Sequence, residues 1–210
     1  MTGLGRGLGT VYPVHMPARK PVITQKARSG TYVALLRGIN VGGKNKLPMA
    51  DLSAMFTAAG CAGVLTYIQR GNVIYDAPPA LAAKVPGRVE AAIADRFGYR
   101  TPVVTRTAAE LAAVLGGNPF LERGEDPDAL HVVFLAAAPV AARVAALDPN
   151  RSPPDELVVR GREIYLRCPN GIARTRITNA YLDATLATTT TLRNWRTVQK
   201  LAELANALPS

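Results

Sequence analysis

Apolar positions along the chain follow two periods in turn, a strand period and a helix period, and the order comes round a second time. Residues 31–37 (TYVALLR) are rich in β-formers and almost unbroken by polar groups, as in a strand buried on both faces. Behind Pro48, the residues Met49, Leu52, Met55 and Phe56 recur at spacings of three and four, which predicts an amphipathic helix stopped by Gly60. Residues 64–69 and 72–75 read as two strands around Arg70-Gly71, a hairpin signal. A helix over about 80–97, broken or shifted by Pro86, and a strand at 101–105 complete a β-α-β-β-α-β order.

A short helix near 107–115 leads into a Gly/Pro-rich stretch, 116–128, the best candidate for a boundary. The order then restarts with a strand at 130–136, a helix at 139–147, a loop at 148–155 and strands at 156–160 and 163–167, with Arg160-Gly161-Arg162 at the turn. Two helices, about 177–186 and 194–207, close the second unit, and Asn194 is a good N-cap for the last. The pattern predicts a mixed α/β protein with two related units, 31–116 and 129–207, after a tail at 1–30.

Composition narrows the class. With 210 residues and 48% hydrophobic content, the chain can build a packed core unaided. The longest apolar stretch, 130–144, is broken by His131 and Pro139 and falls short of the roughly 20 residues that span a bilayer. The sequence shows no secretory signal, and Cys61 and Cys168 are isolated, so a cytoplasmic, reducing setting is expected. The formal charge of +10 is uneven: residues 1–30 carry five bases and no acid, and their Gly/Pro-rich, aperiodic sequence reads as a disordered basic tail. Residues 160–200 carry eight bases against Glu163 and Asp183, a net +6.

Three polar segments hold the candidate chemistry. The loop at 37–46 brings Arg37, Asn40, Gly42, Gly43, Lys44 and Lys46 together. Gly38 to Asn45 reads G-x-x-x-x-G-K-N, but a P-loop needs Ser or Thr after the lysine and a helix starting there. Pro48 delays the helix, which excludes that reading. Two readings stay open: an anion-binding nest of glycine amides, or a connecting loop whose glycines serve backbone shape. In the second segment Gln69, Arg70 and Asn72 either line a groove or belong to a plain hairpin turn. An RNA-recognition domain is set aside, because the aromatics on which bases stack are lacking after Arg70-Gly71. In the third, Arg174, Arg176 and Asn179 stand before or at the start of one helix, and Arg193, Asn194 and Arg196 at the start of the next. Arginines at helix starts bind anions; the alternative is that residues 178–179 and Asn194 are caps, Trp195 is a core anchor and the arginines are solvated.

Catalytic machinery is hard to assemble. His15 lies in the tail and His131 in an expected strand, so neither a His-based triad nor a histidine metal site can be built, and two separated cysteines make no zinc site. No metal and no cofactor are expected.

The segments LLRGINVGGKNKLPMADL (35–52), YIQRGNV (67–73), RITN (176–179) and RNWRT (193–197) resemble the bacterial domain-of-unknown-function 1697 family, in order and over roughly residues 31–207. Arg70 stands where that family more often has serine, and Arg176 where it has lysine. The resemblance implies a cytoplasmic α+β protein of two related ferredoxin-like β-α-β-β-α units plus C-terminal helices. It brings no reaction with it. The function expected from the residues is binding of a phosphate-bearing or other anionic ligand, nucleotide or nucleic acid, in a basic groove. The alternative is a metal-free enzyme acting on a small anionic metabolite, with Arg37 and Arg193 orienting it and Asn40, Gln69 or Asn72 polarising a carbonyl.

Overall fold

The computed structural model describes residues 29–208; the expected tail lies almost wholly outside them. Strand β1 (Gly30–Leu36) leads to helix α1 (Met49–Ala58), strands β2 (Ala62–Tyr67) and β3 (Asn72–Ala77), helices α2 (Pro79–Ala82) and α3 (Val85–Phe97), and strand β4 (Val103–Thr107). The helix expected over about 80–97 is broken in two at residues 83–84, and Pro86 sits in the first turn of α3, where its missing N–H costs nothing. Helix α4 (Ala108–Gly116) follows directly, fixed by a capping box in which the Thr107 hydroxyl and the Glu110 carboxylate satisfy each other's amides.

The second half runs β5 (Leu130–Leu135), α5 (Ala141–Ala145), β6 (Glu156–Arg160), β7 (Glu163–Arg167), α6 (Asn179–Leu186), β8 (Thr190–Asn194) and α7 (Trp195–Ala207). Strand β8 is a correction to the sequence reading, which ran from one C-terminal helix to the next without it. Thr190 and Thr191 are buried and the strand pairs with β5. Arg193 therefore lies within a strand, next to its last residue, and does not open a helix.

The result is a mixed α+β architecture with two four-stranded sheets of the same order, β2-β3-β1-β4 and β6-β7-β5-β8. Every pairing in both is antiparallel. Side chains alternate across each strand. One face of the first sheet, with Ala34, Leu36, Val73 and Tyr75, packs on Leu52, Phe56, Val89 and Ile93 of α1 and α3. One face of the second, with Val133, Leu135, Ile164 and Leu166, packs on Leu182 and Leu186 of α6. The remaining faces share a core in which Val33, Leu35 and Ile74 meet Val132, Phe134 and Tyr165 through Leu111 of α4 and Trp195, Val198 and Leu201 of α7. Phe120, from the expected boundary stretch, is buried in that shared core. Helix α7 touches strands of both sheets. It is anchored at its start by Asn194, whose side chain accepts from the Thr197 amide.

Candidate functional site

Arg106 and Arg193 are the next-to-last residues of β4 and β8, each one residue before a helix N-cap, and each crosses into the opposite sheet. Arg106 Nη2 donates to the carbonyls of Leu135 and Arg162, both at 2.8 Å; Nη1 donates to the Thr105 carbonyl, and Nε to Glu163 Oε1 at 2.7 Å. Arg193 repeats the contacts in reverse. Its Nη2 donates to the carbonyls of Leu36, Arg70 and Gly71, its Nη1 to the Leu192 carbonyl and Thr191 Oγ1, and its Nε to Asn72 Oδ1 at 2.6 Å. Leu36 and Leu135 end β1 and β5, and Asn72 and Glu163 open β3 and β7, so the two clasps match position for position.

One difference separates them. Arg106 has a carboxylate partner, and Arg193 has none among the described residues: the oxygen facing its Nε is the neutral amide of Asn72. The second carboxylate beside Arg106 is Glu110, third residue of α4, which pairs with Arg162. The third residue of α7 is Thr197. Burial opposes ionisation of Glu110, but the Thr107 amide and hydroxyl and the Arg162 and Arg106 charges outweigh it and hold its carboxyl below the ordinary value. At Arg193, burial and the nearby Arg70 charge act in one direction and pull the guanidinium down to about 10. A buried cation without a counter-ion is expensive, which makes its neighbourhood attractive to any anion that enters.

Such a space adjoins it. A cavity of about 570 Å³ is lined by Arg37, Arg70 and Arg193, by Asn179, Asn194 and His131, and by apolar side chains that include Val41, Ile68 and Ile172. Near the Arg106 clasp a cavity of about 450 Å³ is lined by Glu110 and Glu163 together with Arg160 and Arg162, and Arg106 itself does not line it. The clasp thus occurs twice, once with a carboxylate built in and once without.

The sequence candidates divide accordingly. Arg37, Arg70, Asn179, Arg193 and Asn194 meet in the first cavity. Arg70 is exposed at its rim, and its guanidinium has no partner among the described residues. Arg37 is ion-paired with Asp183, which also accepts from the Thr190 amide and hydroxyl, so its charge is already balanced. Asn72 is fully buried and acts on Arg193, not on a ligand; its amide nitrogen is spent on the Tyr67 carbonyl.

Asn40, Gly43, Lys46 and Gln69 line a different cavity, about 610 Å³, on α1's side of the loop. Asn40 cannot polarise a substrate carbonyl, because its side chain ties the loop to the hairpin by bonding the Leu47 amide and carbonyl and the Gln69 carbonyl. Gly42 and Gly43 have φ of 58° and 76° and form a two-residue turn closed by Lys44 N–H to the Val41 carbonyl, a backbone shape that glycine serves. Gly71 is required by contact: at φ 71°, a Cβ there would lie 2.6 Å from Leu36 Cβ.

Lys44, Arg174 and Arg176 are exposed and line neither cavity, and Arg196 forms an ion pair with Asp128. There the cap reading holds: Thr178 caps α6, Asn194 caps α7 and Trp195 is buried. The loops of Lys44 and Arg174 still reach the first cavity, through Val41 and Ile172.

His131 was passed over as a strand residue. It is 5% exposed on the cavity wall, opposite Asn194 in the β5–β8 register, with Nδ1 at 3.3 Å from the Ala129 carbonyl. Burial pushes its pKa down, more than that carbonyl and Asp155 raise it. Its place at the start of a strand was the available signal. Among the described residues no cluster of His, Cys, Asp and Glu could hold a metal ion, and no helix is long and apolar enough to cross a membrane.

Fold and site together define an α+β protein with a basic cavity between two antiparallel sheets. The chain belongs to the family described as "Protein of unknown function (DUF1697)", whose family model matches residues 30–165. It is similar in structure to the conserved bacterial protein SP0830 from Streptococcus pneumoniae, with a TM-score of 0.66 at 23% identity over 85% of this chain and 99% of that one, a likeness of fold. No curated protein matches the chain.

Proposed function

We propose that the cavity beside Arg193 binds an anionic ligand carrying a phosphate or carboxylate group. The observation that carries this reading is the buried Arg193 guanidinium, which meets neutral Asn72 where its counterpart Arg106 meets Glu163. All of Arg193's donors are used within the protein, so it contributes charge and Arg70 supplies the free guanidinium fork. A small ligand is favoured over a nucleic acid, because Lys44, Arg174 and Arg176 stand outside the cavity. The setting is taken as cytoplasmic, on the strength of two buried free cysteines. We also propose that residues 31–116 and 129–207 are copies of one ferredoxin-like unit; the equal strand orders and matched arginine clasps support this.

A second reading, a metal-free enzyme on a small anionic metabolite, is favoured by His131. An imidazole kept neutral by burial on the wall of an anion cavity is suited to general-base work.

Thermal-shift titration of the full chain with inorganic phosphate, against labelled oligonucleotides followed by anisotropy, tests the leading reading. Phosphate stabilisation that is lost in Arg70→Gln is expected. Oligonucleotide binding that steepens with length and weakens with Arg174→Glu, with no response to phosphate, would replace it with a nucleic-acid surface.

A further inference from the structure

Among the described residues four large apolar side chains stay exposed, and two of them, Val41 (56%) and Ile68 (44%), line the cavity that holds Arg70 and Arg193. They rise from different loops. Val41 stands at the base of the tight turn through Gly42 and Gly43, and Ile68 opens the turn between β2 and β3.

Ile68 is also strained. Its φ is 48°, and it is the one β-branched residue with a positive φ among the described residues. The left-handed region is unfavourable for such a side chain, and Asn or Gly would fill the position at lower cost. Strain of this kind persists where the surroundings fix the backbone. Here they do: Asn40 holds the Gln69 carbonyl, and Arg193 holds those of Arg70 and Gly71. A side chain both strained and half in water contributes little to stability, which leaves contact with a ligand as its use.

The size of the cavity agrees. At about 570 Å³ it lies in the range of small-molecule sites and exceeds what a bare oxyanion needs. Resting on the anion-binding reading above, we infer that the ligand is a small organic anion with an apolar body: its charged group meets Arg70 in the field of Arg193, and its body lies between Val41, Ile68 and Ile172. The charged group is a phosphate or a carboxylate, and matched probes tell the two apart.

Isothermal titration of the full chain with phenyl phosphate and inorganic phosphate, and with phenylacetate and acetate, tests the inference. The aromatic member of the favoured pair binds at least about tenfold tighter than the bare anion. Ile68→Asn lowers that aromatic affinity about three- to tenfold, leaves the bare anion within about twofold, and raises Tm by about 2–4 °C as strain is relieved. Equal affinity for aromatic and bare anions, or an Ile68→Asn protein that binds both as before, overturns the apolar-body assignment while the anion site stands. Binding of none of the four probes overturns the anion site and this inference with it.

Discussion

Arg193 donates its Nε proton to Asn72 Oδ1 across 2.6 Å, joining the last strand of one sheet to the first residue of a strand in the other. The contact is buried, and both side chains are fully committed to protein partners. Seen beside Arg106 and Glu163, it is the same joint with the negative charge taken out. What remains is a positive charge in the wall between two sheets, next to a space large enough for a ligand.

The charged joint should carry stability. Arg106 has a fully buried side chain and serves three backbone carbonyls as well as Glu163. Arg106→Ala strands those acceptors and the carboxylate, at a cost of about 3–5 kcal/mol. Urea denaturation should show the unfolding free energy falling by that amount, whereas loss of the exposed Lys200–Glu203 pair in Lys200→Ala should change it by under about 1 kcal/mol.

His131 should make stability depend on pH in one direction. Its folded pKa is depressed, chiefly by burial, so at mildly acid pH the unfolded chain binds the extra proton. The contribution is fully present above the unfolded value of about 6.5 and is lost as pH falls through the lower folded value. Urea midpoints taken from pH 7.5 down to pH 5 should decline in the parent protein, and His131→Gln should flatten that decline.

Much of the fold was legible in the sequence because its signals are local. Leu52, Met55 and Phe56 mark the buried stripe of α1, and Asn194 marks the start of α7. Strand β8 was hidden because threonine reads as polar, while its β-branched side chain suits a strand, as at the buried Thr190 and Thr191. The site was legible in part. Arg70 and Arg193 stood out by charge and spacing, but Arg193's burial, Arg37's neutralisation by Asp183 and Asn40's use as a loop tie come from residues far away in the chain. The matched Arg106 went unnoticed because its meaning comes only from Glu163, 57 positions later.

The most direct measurement is phosphate and phenyl phosphate affinity, by isothermal titration, in Asn72→Asp against the parent protein. The substitution keeps the shape of the side chain and returns a carboxylate to Arg193, as Glu163 does for Arg106. With the charge neutralised at a separation of a few ångströms, the account predicts at least about a tenfold loss of anion affinity in a protein that still unfolds cooperatively. Unchanged affinity in a folded Asn72→Asp protein would contradict it, since the unbalanced charge of Arg193 would then play no part in drawing an anion to this cavity.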